Sequence, residues 1–160
     1  MKKSGLVLSL LAVVPLSAFS AIQPGYYVGP GDGATVVLRV LPGGKKAVLG
    51  SFNEYQGMGY KPKPITPEMV KNAGRAKEVM GPNGGYPKIG DLKQVGKNQY
   101  TLTMNLPSQG LPLCISEVIV TPQGLELGED HPAGNCFQYH GASWGYGHGT
   151  GNILKPYKVN

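Results

Sequence analysis

The residues best equipped for chemistry crowd into the stretch from Glu129 to Thr150. Gly141-Ala142-Ser143-Trp144-Gly145 fits G-x-S-x-G, the nucleophile elbow in which a strand-to-helix turn exposes a serine hydroxyl. The glycines at 145, 147, 149 and 151 leave no helix to follow the serine. No Asp or Glu lies beyond Asp130 to orient His148 as a base, and the chain is too short for the large sheet on which an elbow sits. The match is read as coincidence. The chain is expected to be no enzyme, with no catalytic residues and no cofactor.

Two other patterns invite the same scrutiny. His131, Cys136, His140 and His148, with Glu129 and Asp130 close by, offer imidazole, sulfur and carboxylate donors suited to zinc or copper. Their spacing, H-x4-C-x3-H-x7-H, matches no standard zinc arrangement. Metal binding through His131, His140 and His148 is therefore the alternative reading, and no metal site is assigned in the leading one. Gly81-Pro82-Asn83-Gly84-Gly85-Tyr86-Pro87-Lys88 resembles a phosphate loop in its glycines, but it lacks the Lys-Ser/Thr ending and follows a helix where it should precede one. It reads as a helix stop and a turn.

The stretch Cys136–Gly149 is the most distinctive in the chain. If residues 145–151 are extended, their four glycines share one face, and Tyr146, His148 and Thr150 share the other. With Tyr139, His140, Ser143 and Trp144, this makes either a recognition loop anchored by aromatic side chains or a loop whose aromatics pack over one end of a barrel. The expected binding residues are Tyr139, His140, Ser143, Trp144, Tyr146 and His148.

The elements that must carry this loop are short strands. Ala34–Leu41 and Lys46–Phe52, joined by Pro42-Gly43-Gly44-Lys45, form the clearest hairpin. Lys88–Val95 turns through Gly96-Lys97-Asn98 into Gln99–Asn105, where Tyr100, Leu102 and Met104 alternate. Leu113–Thr121, the turn Pro122-Gln123-Gly124 and a short return Leu125–Leu127 follow, with Cys136–Tyr139 and Asn152–Lys155 as shorter candidates. Gly29-Pro30-Gly31-Asp32-Gly33 reads as a loop. Thr66 as cap, Pro67 at the first helical position, and Met69, Ala73, Ala76 and Met80 on one face predict a single amphipathic helix before Gly81. No internal repeat is visible. The fold class expected is mainly β, a small antiparallel barrel or sandwich with one short helix and one disulfide.

Composition fits that picture. The 160 residues include 25 Gly and 14 Pro, which would suggest disorder but for 41% hydrophobic and only 15% charged residues. Met1-Lys2-Lys3, the apolar run Gly5–Val14 and the small residues Ala18 and Ser20 have the form of a secretory signal cut before Ala21. Residues 1–20 are thus expected to be removed, leaving 21–160 as one β-rich domain without stable membrane insertion. The expected location is periplasmic or secreted. In that oxidising setting Cys114 and Cys136 should pair, closing a loop of about 22 residues worth on the order of 3 kcal/mol. Charge is uneven: residues 21–97 carry 11 basic and 5 acidic side chains, whereas residues 98–154 hold no Lys or Arg and four acids. The lack of a basic–aromatic stripe argues against nucleic acid as a partner.

The signal, the opening Gly25-Tyr26-Tyr27 before a hairpin, and the late disulfide together resemble small exported β-barrel proteins of Gram-negative bacteria, including periplasmic lysozyme inhibitors. The ending Cys136-x-x-Tyr139-His140-Gly141-Ala142-Ser143 is also similar to tails in secreted proteins of that kind. The inhibitors' Ser-Gly-x-x-Tyr loop is absent, since Ser51-Phe52-Asn53-Glu54-Tyr55 has neither its spacing nor its glycine. The resemblance implies a non-catalytic protein that binds another envelope or secreted protein, as an inhibitor or as immunity against a hydrolase or toxin. A periplasmic metal-binding protein and a structural envelope component are the alternatives.

Overall fold

Along Gln99–Leu106 and Leu111–Thr121 buried side chains recur at every second position, a period that makes one face of a strand apolar. The computed structural model describes residues 21–30, 34–53, 55–56, 61–62, 64–75, 88–107, 110–132, 135–136 and 153–160. In chain order the elements are β1 (Gly25–Pro30), β2 (Ala34–Val40), β3 (Lys46–Asn53), β4 (Tyr55–Gln56), β5 (Lys61–Pro62), α1 (Pro67–Ala73), β6 (Lys88–Gln94), β7 (Gln99–Leu106), β8 (Leu111–Thr121), β9 (Gly124–His131) and β10 (Ile153–Tyr157). Strands β4 and β5 form a separate two-stranded ribbon. The other eight close into an antiparallel barrel in the order β1-β10-β9-β8-β7-β6-β3-β2.

Each barrel strand pairs with the barrel strands before and after it in sequence, and the β1–β10 seam, with Tyr26 opposite Tyr157, closes the ring. A closed sheet has no unpaired edge. The interior is packed with side chains such as Val36, Leu38, Leu49, Tyr100, Leu102, Met104, Val118, Leu125 and Leu154, as is usual for a barrel of this strand number. In β2 both faces are buried, because Val36, Leu38 and Val40 face inward while Val37 lies beneath α1. That is why the run reads as continuously apolar.

Helix α1 lies against the outside of β1, β2 and β3, burying Val70 and Ala73 against Val28 and Val37. Its close approach requires Gly50, where a Cβ would collide with the Ala73 carbonyl oxygen. Thr66 caps the helix by accepting from the Met69 amide at 3.2 Å, and Pro67 opens it. It is shorter than the sequence predicts. Gly74 ends it, lying under the Tyr26 ring, and the Arg39 Nη1 donates to the Gly74 carbonyl at 3.2 Å while its guanidinium sits 5.2 Å from the Tyr26 centroid. The helix's buried residues are Val70 and Ala73, with Met69 only partly covered, and Ala76 and Met80 lie outside the described residues.

The hairpin at Pro42–Lys45 is present, with Gly43 and Gly44 at φ of 90° and 68°, where glycine is favoured. Several strand boundaries differ from expectation: Gly29 and Pro30, read as loop, end β1 in pairing with Val36 and Thr35, β8 begins at Leu111, and β10 reaches Tyr157. Strand β9 continues through Gly128-Glu129-Asp130-His131, because a register shift between Ser116 and Val118 accommodates the polar extension. Cys136 lies in a turn, not a strand: the amides of Asn135 and Cys136 both donate to the Pro132 carbonyl. Residues 137–139 of that expected strand lie outside the described residues.

Candidate functional site

An up-and-down barrel has two ends, and here the connections divide sharply between them. At one end β2–β3, β6–β7 and β8–β9 are joined by tight turns, and the start of β1 and the end of β10 lie beside them. Ile22 is buried in the barrel core at this end, and its amide donates to the Tyr100 hydroxyl at 3.3 Å. The Tyr27 hydroxyl donates to the Gln23 carbonyl at 2.8 Å. Burial pushes the Tyr27 phenol above its ordinary 10.0, with the hydrogen bond to Gln23 pulling the other way. The segment before β1 thus acts as a plug.

At the opposite end β1 passes to β2, β3 to β6, β7 to β8, and β9 to β10. The two long connections, between Asn53 and Lys88 and between His131 and Ile153, both belong here. Beneath this rim lies a polar pair within the apolar interior. Ser116, fully buried, donates to the Asp130 carboxylate at 2.6 Å, and Asp130 is itself 8% exposed. The Cys114–Cys136 disulfide packs beside them, with Cys114 Sγ 3.5 Å from the Ser116 oxygen. The bridge fastens the start of the long C-terminal connection to β8. The Asn135 side chain reinforces it by donating to the Leu113 carbonyl at 3.0 Å.

The six expected binding residues, Tyr139, His140, Ser143, Trp144, Tyr146 and His148, lie outside the described residues, as does the G-x-S-x-G stretch at 141–145. They are carried by the connection that leaves β9 at His131 and returns at Ile153. Residues 1–20 and the glycine-rich stretch at 81–87 are also outside. Of the three histidines weighed for metal, His131 is described: it is exposed on the rim with Nε2 3.7 Å from Glu129 Oε2. Among the described residues Cys114, Asp130 and Cys136 come close enough to share an ion, but the disulfide consumes both thiolates. Sequence reasoning missed the Ser116–Asp130 pair. The signal was available, since Ser116 falls between Cys114 and Val118 on the inward period of β8.

Charge is organised around the outside. Glu117, Glu126 and Glu129 stand on β8 and β9, and the Glu117 carboxylate lies over Gly128 and accepts from the Glu129 amide at 3.4 Å. On the ring of eight, β8 and β9 are four places from β2 and β3, which places this acidic wall across the barrel from Arg39 and Lys46. No helix among the described residues is long and apolar enough to cross a membrane. The disulfide suits an oxidising, extracytoplasmic environment. Comparison with protein-family models, curated proteins and solved structures finds no match.

Proposed function

We propose that the chain is a non-catalytic, periplasmic or secreted binding module whose partner is another envelope or secreted protein. Its use would be inhibition of a cell-wall hydrolase, or immunity against a toxin delivered to the same compartment. The observation that carries this reading is the difference between the two barrel ends. One is plugged by Ile22 and turned tightly; the other receives both long connections, and the disulfide anchors the one bearing Tyr139, His140, Ser143 and Trp144. A rigid sheet presenting long connections from one rim is a common way of holding a recognition surface.

The test is titration of the chain from Ala21 to Asn160 against lysozymes and wall amidases, by calorimetry and by hydrolysis rate. A stoichiometric complex with slowed hydrolysis is expected. Tyr139→Ala and Trp144→Ala should each weaken it by about 2 kcal/mol or more, as aromatic anchors do. Absence of heat and unchanged hydrolysis across both enzyme classes would overturn the proposal.

A further inference from the structure

At the tight-turn end, opposite the rim just discussed, four lysines meet on one corner of the barrel. Lys45 and Lys46 close the β2–β3 turn, Lys93 stands on β6, and Lys97 occupies the β6–β7 turn; all four are exposed. The corner is one continuous surface, because the Leu92 amide donates to the Lys45 carbonyl at 2.8 Å, tying that turn to β6. Gln94 steadies the neighbouring turn by donating to the Gly96 carbonyl at 3.1 Å. Asp91 is the one acidic residue on β3, β6, β7 and their two tight turns, and Lys46 pairs with it at 2.8 Å. Three positive charges remain uncompensated there.

Between Lys93 and Lys97 sits Val95, 57% exposed, the most exposed large hydrophobic residue among those described. Its amide is held by the Gln99 carbonyl at 2.9 Å, so the turn presents it on a fixed backbone. An apolar tip flanked by long ammonium side chains suits an interface where phosphate lies above hydrocarbon. The lysine stems extend to the headgroups while the apolar group enters the boundary below.

We propose that this corner docks on an anionic phospholipid surface. A soluble polyanion would use the charges but leave Val95 in water, which is why the lipid is the better fit. In this pose the long-connection rim, at the opposite end of the barrel, points away from the headgroups. The proposal does not depend on what that rim binds.

Sedimentation of the chain from Ala21 to Asn160 with vesicles tests it. Binding is expected to vesicles of phosphatidylglycerol in phosphatidylcholine and not to phosphatidylcholine alone. It should be lost as NaCl rises from ~0.05 to ~0.5 M. The Lys93→Glu/Lys97→Glu variant should bind roughly tenfold or more weakly, and Val95→Ser should also weaken binding without any change of charge. Circular dichroism checks each variant's fold, and Lys45→Gln/Lys97→Gln replaces the double glutamate should that variant not fold. No binding to the anionic vesicles, equal binding to both vesicle types, or wild-type binding by the charge variants would overturn the proposal. Loss on charge reversal with no effect of Val95→Ser would assign the corner to a soluble polyanion and overturn the lipid.

Discussion

Asp130 places a carboxylate where a small barrel ordinarily keeps hydrocarbon, and its neighbours make the placement tolerable. A buried acceptor stripped of a donor costs far more than an exposed one, because no water replaces the lost bond. Ser116→Ala should therefore lower stability by about 1–3 kcal/mol, read from the urea midpoint. An unchanged midpoint would show that the 2.6 Å bond to Asp130 contributes nothing. Tyr27 makes a second prediction at this scale. Its phenol is held neutral by burial, so above pH 10.0 the unfolded chain releases a proton that the folded chain keeps. The unfolded state then binds fewer protons, and stability falls as pH rises. A denaturation series should find that loss beginning near pH 10.0 and shrinking in Tyr27→Phe.

At the scale of elements, the position of α1 hangs on a missing side chain. Gly50→Ala puts a methyl group into the Ala73 carbonyl, so the helix must retreat from β3 or the strand must bend. A cost of about 1–3 kcal/mol is expected, seen as a lowered melting temperature. A melting temperature at or above the wild-type value would mean that α1 does not rest on Gly50. Elements differed in how plainly they could be read. The Gly43-Gly44 and Gly96-Lys97-Asn98 turns were legible because turn chemistry is local. The end of α1 was not, because the capping Gly74 sits where a side chain would collide with Tyr26, almost fifty positions earlier in the chain. The full length of β9 was hidden for a similar reason, since Glu129 and Asp130 look like loop residues until the bulge opposite Glu117 is known.

For the whole molecule, alternating apolar residues were enough to indicate a barrel or sandwich, and the oxidising setting expected from the signal-like N-terminus was enough to pair Cys114 with Cys136. Closure was not legible, because the seam joins Tyr26 to Tyr157 and no local pattern announces a pairing across the length of the chain. Neither was the sorting of short and long connections to opposite ends, which follows from strand direction once the ring is known. The recognition residues of the proposed function could be named by their types alone, whereas the lysine corner needed the fold to bring Lys45 beside β6. The seam also governs how the sheet meets its surroundings. A chain stopped before Ile153 would keep the ladders from β1 to β9, yet both β1 and β9 would become open edges, each a template for a strand from another molecule. Ile153–Tyr157 therefore decides whether the hydrogen bonding of this sheet ends in itself or continues into a polymer.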